Sequence, residues 1–292
     1  MTANPADMLT APSILDLLRL ERLDRDLYRS TVLFDVPFAL YGGQVAAQAL
    51  KAAGDTVPDG RLPHSLHGYY LRGGDAAKPT LFRVDRDRDG GSFSARRVVA
   101  VQDGEVIFSM SASFHSPVVD RDHQEHSAPR TAAPDLLEEW RPVPNLISID
   151  VRVPPQPYTD PVWPTRFWAR SAVPLPDNPL LHACVLTYVS DASTGLAGVA
   201  GAGTHCGPTL DHGVWFHRPA RMDDWTLFDL QPQTTAFGLG WYTGRVHTST
   251  GDLAAGLVQE HIFRAGANRH PDAAHFTTRF PTVTSVSESR SE

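Results

Sequence analysis

Cysteine is almost missing from this chain. Two in 292 residues, Cys184 and Cys206, cannot build a disulfide framework. A reducing compartment suits them, and the cytoplasm is the expected location. Lysine is as scarce, 2 against 24 arginines, and the basic residues are scattered over a chain of net charge −7. That leaves no electrostatic footprint for a nucleic acid. No run of 18 apolar residues occurs, so a membrane-spanning helix is not expected. The N-terminus lacks a basic start followed by an apolar core, which argues against a secretory signal. Nucleotide-binding loops are missing too, because the Gly-x-Gly strings near 201–203 have no strand before them and no helix of the right kind after. Histidine pairs occur at His64/His67, His123/His126 and His212/His217, but none has a third ligand nearby. Neither metal nor cofactor is expected.

What the chain does have is a repeat. Arg72–Phe82 lies over Arg218–Phe228 at an offset of 146, with Arg, Thr, Leu and Phe matching. Further on, Asp103-Gly104-Glu105 meets Thr250-Gly251-Asp252 at 147. A period of half the chain means two copies of one unit packed together, each of roughly 110 to 140 residues and large enough for its own core.

The periodicity predicts a short amphipathic helix from Ser13 through Leu23, capped by Ser13 with Asp16 three residues on. A strand follows over Ser30–Val36, then an alanine-rich helix opening on Gly42-Gly43. Four strands come next, His64–Arg72, Pro79–Arg88, Ser92–Gln102 and Glu105–Phe114, the last pair joined by Asp103-Gly104, a hairpin signal. Ten of the 24 prolines fall in 117–164, which reads as a linker wrapping a surface. The pattern resumes with a strand at Arg166–Val173 and a helix near Pro179 capped by Asn178. Strands at Thr209–Arg218, Trp225–Gln233, Gly238–Thr248 and Leu253–Arg264 complete the second copy. The expected domains are a unit over 1–116, the linker over 117–164, a unit over 165–265, and a polar tail over 266–292 expected to be disordered. Each unit is one helix followed by an antiparallel meander. The small side chains of the first helix let a sheet curl tightly around it.

Several long motifs carry a family resemblance. They are YGGQVAAQAL (Tyr41–Leu50), HSLHGYYLRGGD (His64–Asp75) and RDGGSFSARRVVAVQDGEVIFSMSASF (Arg88–Phe114). In the second half they are FWARS (Phe167–Ser171), YVSD (Tyr188–Asp191), TLDHGVWFHRP (Thr209–Pro219) and VQEHIFR (Val258–Arg264). Between about residues 12 and 265 the chain resembles the type II acyl-CoA thioesterases. Gly73 departs from the usual proline of the LRPGD stretch, and the segment between Asp191 and Thr209 is short and Gly/Ala-rich. The resemblance implies an α+β double hotdog, with two antiparallel sheets each wrapped around a central helix. It also implies hydrolysis of fatty acyl-CoA to acid and CoA, homo-oligomers, and a catalytic set matched here by Asp191, Thr209 and Gln259.

A thioester is already activated, so hydrolysis needs an oriented water, a base and a donor for the developing oxyanion. Asp191 is the base among the three. Partial burial raises a carboxyl pKa toward a useful value, and the Thr209 hydroxyl and Gln259 amide can fix carboxylate and water in place. Gly42, Gly43 and Gln44 at a helix start offer backbone N–H groups to a thioester oxygen. In single-hotdog thioesterases of the Gly-Gly type the carboxylate follows eight residues past the first glycine, and here that position is Leu50. The repeat sets Gln259 over Ala112, Thr209 over Pro63 and, at an offset near 141, Asp191 over Leu50. One site per chain is expected. His64, inside its motif, is a further pocket candidate, and Arg72, Arg88, Arg96, Arg97 and Arg218 are candidates for the CoA phosphates. Two rivals share the fold: a non-catalytic acyl-CoA-binding protein and a hotdog enoyl-CoA hydratase. The Asp-x4-His strings that a hydratase needs, Asp59/His64 and Asp177/His182, are no more frequent than chance.

Overall fold

A computed structural model describes residues 12–35, 39–141, 146–156, 163–199, 204–265 and 282–285. Helix α1 spans Ile14–Leu18, with Ser13 and Asp16 exchanging hydrogen bonds as a capping box. The helix expected through Leu23 ends here, because Leu20–Asp24 forms strand β1 and folds back on β2 (Leu27–Ser30). Leu20 and Leu23 keep a helical spacing, so periodicity alone misleads. The cross-strand Arg29–Glu21 pair, 2.5 Å apart, belongs to the hairpin that forms instead. After β3 (Val32–Asp35) comes α2 (Gly42–Gly54), then β4 (Leu62–Tyr70), β5 (Leu81–Asp89), β6 (Phe93–Gln102) and β7 (Glu105–His115). The second half contains β8 (Ile149–Arg152), β9 (Arg166–Ser171), α3 (Pro179–Ser190), β10 (Thr204–Phe216), β11 (Thr226–Ala236), β12 (Leu239–Thr248) and β13 (Leu253–Ala265).

Among the described residues all of these strands except β3 make one twelve-stranded sheet, in the order β1-β2-β5-β6-β7-β4-β10-β13-β12-β11-β9-β8. Read outward from the β4–β10 junction, both halves run the same way, which is the repeat seen in the sequence. The two meanders continue into one another through antiparallel β4 and β10, with Leu66 opposite Val214 and Gly68 opposite His212. The Asp103-Gly104 hairpin forms as expected, both residues at positive φ (49° and 81°), and Phe237-Gly238 does the same between β11 and β12 (52° and 81°).

The helices α2 and α3 lie side by side inside the curved sheet and run antiparallel. Gly43 at the start of α2 meets the Tyr188 carbonyl at the end of α3, and Gly54 at the end of α2 meets Leu180 at the start of α3. The alanines Ala46, Ala47, Ala49, Ala52 and Ala53 are fully buried, so nothing larger than a methyl keeps sheet and partner helix away. Asn178 caps α3, accepting from the Leu180 N–H at 3.0 Å.

The proline-rich stretch does run along the second unit. Gln124 accepts from the Leu253 N–H at 2.6 Å and donates to the Gly251 carbonyl, and Asp122 pairs with Arg218. It is not wholly irregular, however: β8, inside the stretch expected to be a linker, extends the twelve-stranded sheet beside β9. Its four residues alternate Ile-Asp-Val-Arg, too short a run to separate from loop. The tail also carries structure at one place. Thr282–Ser285 forms β14 against β3, contrary to the disorder expected there, since a β-branched Thr-Val-Thr-Ser run finds an open strand edge. The remainder of the tail lies outside the described residues.

Candidate active site

Asp191 is the C-cap of α3, and the end of that helix points it at the sheet junction. Two strands meet it. Gln259 of β13 is fully buried and donates through Nε2 to Asp191 Oδ1. Thr209 of β10 donates to the same oxygen at 3.3 Å and lies 3.4 Å from Gln259 Nε2. Thr209 reaches inward because the β10–β13 register is irregular on both sides of it, before Thr209 and between Thr209 and Asp211. Such bulges re-aim a side chain. The three residues that the sequence grouped from motifs 18 and 68 positions apart thus form one hydrogen-bonded cluster.

Gln259 has a fixed orientation. The Tyr242 hydroxyl donates to its Oε1, with the Ser193 carbonyl 3.2 Å away. An amide that presents oxygen to a phenol must present its NH2 group to the carboxylate. Sequence reasoning missed Tyr242. Strand parity could have found it, because Tyr242 is the cross-strand partner of Gln259 and lies on the same face.

The other wall comes from the first unit. A Cβ built on Gly42 would lie 2.6 Å from Asp191 Oδ2 and 3.0 Å from the Tyr70 ring, so the carboxylate, the helix start and Tyr70 share one small space. The Gly43 N–H lies near enough to the Asp191 carboxylate to favour its charged form. Gln44, buried in the first turn of α2, directs its N–H back to the Tyr41 carbonyl at 3.1 Å, and Val45 does likewise at 3.3 Å. Of the three residues expected to offer N–H groups to a thioester oxygen, Gln44 therefore serves its own helix, and Gly43 lies beside the carboxylate. Tyr41 seals the helix contact, its hydroxyl donating to the Tyr188 carbonyl at 2.7 Å.

Burial pushes the Asp191 carboxyl up to about 6, against the opposing hydrogen bonds from Gln259, Gly43 and Thr209. The negative end of the α3 dipole acts in the same direction as burial. Next to it, the Ser190 hydroxyl donates to the Thr187 carbonyl at 2.9 Å and so accepts from His212 Nε2 at 2.7 Å. Burial, then His261, holds His212 down at about 3, so it stays neutral and anchors the helix end rather than moving protons.

His64 is not brought to this cluster. Its Nε2 lies 2.7 Å from Ser113 Oγ, and its ring packs edge-on against Phe93 and His115, all within the first unit. Four of the five candidate arginines have protein partners. Arg96 is buried against Thr56 and Asp89, while Arg72, Arg97 and Arg218 pair with Glu105, Asp85 and Asp122. Counted from the helix ends, the counterpart of Asp191 is Asp55, the C-cap of α2, and not Leu50. Asp55 faces outward and pairs with Lys51 at 2.5 Å, beside apolar Ala112 and Pro63 at the other two positions. The first unit thus has a carboxylate at its helix end but none of the groups that hold Asp191.

A buried carboxylate with a raised pKa, gripped by an amide and a hydroxyl on a doubled hotdog sheet, is an arrangement suited to hydrolysis of activated acyl groups. Comparisons narrow this class. Residues 34–115 match the acyl-CoA thioesterase N-terminal domain family and residues 120–263 the acyl-CoA thioesterase C-terminal domain family. The chain is 32% identical to human acyl-coenzyme A thioesterase 8, with 89% of this chain and 92% of that protein covered. It is 29% identical to acyl-CoA thioesterase 2 of Haemophilus influenzae over 86% and 97%. The crystal structure of acyl-CoA thioesterase II from Mycobacterium marinum is similar at a TM-score of 0.73 and 37% identity, covering 88% of this chain and 99% of that one. The protein belongs to the acyl-CoA thioesterase family with the double hotdog fold and is an acyl-CoA thioesterase.

Proposed function

We propose that Asp191 is the general base of this thioesterase, that it acts on fatty acyl-CoA, and that each chain has one active site. The observation that carries the reading is the cluster itself. Asp191 Oδ1 is taken by Gln259 and Thr209, which leaves Oδ2 turned toward Gly42 and the Tyr70 ring. A water on Oδ2 loses its proton to Asp191 as its oxygen attacks the thioester carbon. The CoA sulfur leaves and recovers the proton. Against a purely binding protein stands the raised carboxyl, since binding has no use for a positioned base. Attack by Asp191 itself is the other route to the same products. Single-turnover hydrolysis in ¹⁸O water separates them: label only in the fatty acid is expected, and label in Asp191 would mean an anhydride.

The pH profile follows from the buried carboxyl. Catalysis needs the carboxylate, so kcat/KM is expected to rise with pH and level off above an inflection near 6. Stability runs the other way. The folded carboxyl binds its proton more tightly than the unfolded one, so this group's contribution to stability declines as pH rises between about 4 and 6. A flat kcat/KM between pH 4.5 and 8 would remove Asp191 from the role.

Tyr242 is the positioning residue of this reading. With Tyr242→Phe the Gln259 amide can turn its oxygen to the carboxylate, replacing attraction by repulsion. Turnover is expected to fall by about tenfold, a loss of the order of one charge-assisted hydrogen bond, and the acid limb should move above 6. A normal pH profile in the variant would make Tyr242 a packing residue only.

The reading extends to a homo-oligomer working on lipid-derived acyl groups in the cytoplasm. Tyr69 and Trp241, 61% and 37% exposed, stand on one outer row of the sheet with Asp211 and Glu260, a surface suited to a second copy. Light scattering at micromolar concentration tests this, and a monomer there refutes it.

A further inference from the structure

We propose that the Tyr70 hydroxyl donates the hydrogen bond that polarises the thioester carbonyl, making Tyr70 a second catalytic residue of this enzyme, contributed by the other half of the chain. The proposal rests on the reading of Asp191 as the base. Leu66, Gly68 and Tyr70 alternate onto the inner face of β4, while Tyr69 points out. The Tyr70 ring packs against Phe108, with centroids 4.8 Å apart, and its edge lies over Gly42 beside Asp191 Oδ2. Its hydroxyl is shielded from solvent and has no hydrogen-bond partner among the described residues. An orphaned buried donor calls for an explanation, and a ligand oxygen supplies one.

Three neighbouring tyrosines show the contrast. The Tyr41 hydroxyl donates to the Tyr188 carbonyl, that of Tyr242 donates to Gln259, and that of Tyr188 accepts from the Ile147 N–H. Only Tyr70 among them has no partner, and its ring stands against Gly42 beside Asp191 Oδ2, the oxygen that holds the attacking water in the reading above. At the helix start the Gln44 N–H is committed to the Tyr41 carbonyl. Burial, then the Asp191 charge, pushes the Tyr70 phenol well above its usual 10, so it remains a donor at every working pH.

The step balances without Tyr70 losing its proton. Water oxygen bonds to the acyl carbon, its proton passes to Asp191, and the carbonyl pair moves onto oxygen beside the Tyr70 O–H. Collapse restores C=O and breaks C–S, and the CoA thiolate takes the proton back from Asp191. A donor aimed at the oxygen that gains charge lowers the barrier more than it tightens substrate binding.

The test uses the full chain, Tyr70→Phe, and a non-hydrolysable acyl-CoA analogue in which a methylene replaces sulfur and the ketone remains. We expect kcat to fall roughly 10²-fold, the low end for loss of one oxyanion donor, with KM changed by less than about threefold. The acid limb of the profile should stay near 6. In infrared spectra the bound ketone should be red-shifted in the parent protein and lose that shift in the variant. Placing 3-fluorotyrosine at position 70 keeps the shape, sharpens the donor and should deepen the shift. An identical carbonyl band in parent and Tyr70→Phe overturns the proposal, as does turnover within about threefold of the parent. Lost turnover with an unchanged band and a displaced acid limb also overturns it, because Tyr70 would then act on Asp191 or its water. Asp191→Asn keeps the two readings apart. It should abolish turnover and retain the red shift, and normal turnover in it would refute the base while leaving the carbonyl band to judge Tyr70.

Discussion

Asp191→Asn is expected to lower kcat by between about 10² and 10⁴, the range for loss of a general base. The substitution keeps size and the capping position at the end of α3. It removes the one group in the cluster able to take a proton from water. Thermal stability should move the opposite way. An amide has no charge to desolvate, so the variant should melt above the parent at pH 7 to 8 and match it below pH 4, where Asp191 is protonated in both folded and unfolded chains. Activity and stability changing in opposite directions is the mark of a functional carboxylate kept at a cost to the fold. Thr209→Ala and Gln259→Ala should each lose less than Asp191→Asn. Both hold Oδ1, so their losses should combine non-additively. Near-normal turnover of Asp191→Asn, measured by release of free thiol, would refute the assignment.

The fold was largely legible because the sheet is built from long alternating strands closed by tight turns. Runs such as Phe93–Gln102 and Glu105–His115 bury every second residue, and Asp103-Gly104 supplies the positive-φ pair that joins them. Local pattern failed where pairing partners are distant or segments short. Leu20–Asp24 has helical spacing but is held as a strand by β2, and Ile149–Arg152 becomes a strand only because β9 offers an edge. The second unit's first long strand begins at Thr204 and not Thr209, since it continues through the irregular register around Gly207 and Pro208.

The site divides the same way. Asp191, Thr209 and Gln259 were readable because each stands in a long family motif. Leu50, Ala112 and Pro63 pointed to a first unit without the set, but the helix-end counterpart of Asp191 proved to be Asp55, paired with Lys51. Tyr242 lies outside the motifs, and Tyr70 lies inside HSLHGYYLRGGD with nothing there to single it out. Their roles come from cross-strand position and from a helix packed against the opposite unit, neither of which is written at fixed spacing along the chain. The fate of the Gly43 and Gln44 N–H groups was hidden for the same reason. Whether a helix start serves a ligand or a neighbouring carboxylate depends on what the fold sets before it.

Gly42 and Gly43 separate the chemistry from the packing, and alanine at each is expected to fail differently. Alanine is the better helix former by about 1 kcal/mol, so propensity favours both substitutions, and only close approach opposes them. At Gly42 the added methyl meets side-chain ends, Asp191 Oδ2 at 2.6 Å and the Tyr70 ring at 3.0 Å. Those ends can yield, but they yield by leaving the positions where water and carbonyl must sit. Gly42→Ala should therefore fold with an unchanged or higher Tm while turnover drops about 10²-fold, as displacement of reacting groups by an ångström does. At Gly43 the methyl would overlap the Tyr188 carbonyl oxygen, and the Tyr41 ring stands 2.7 Å away. A backbone carbonyl near the end of α3 cannot retreat without carrying Asp191, three residues on, with it. Gly43→Ala should thus lose turnover and also about 1–3 kcal/mol of stability, the usual cost of overpacking. For a chain of this size that is a Tm lower by about 2–10 °C. Calorimetry and thiol release on the two variants decide the matter. Parent-like turnover in Gly42→Ala would mean that substrate does not approach Oδ2 from this side. An undiminished Tm in Gly43→Ala would mean that the two helices are free to separate, and that their contact does not fix Asp191.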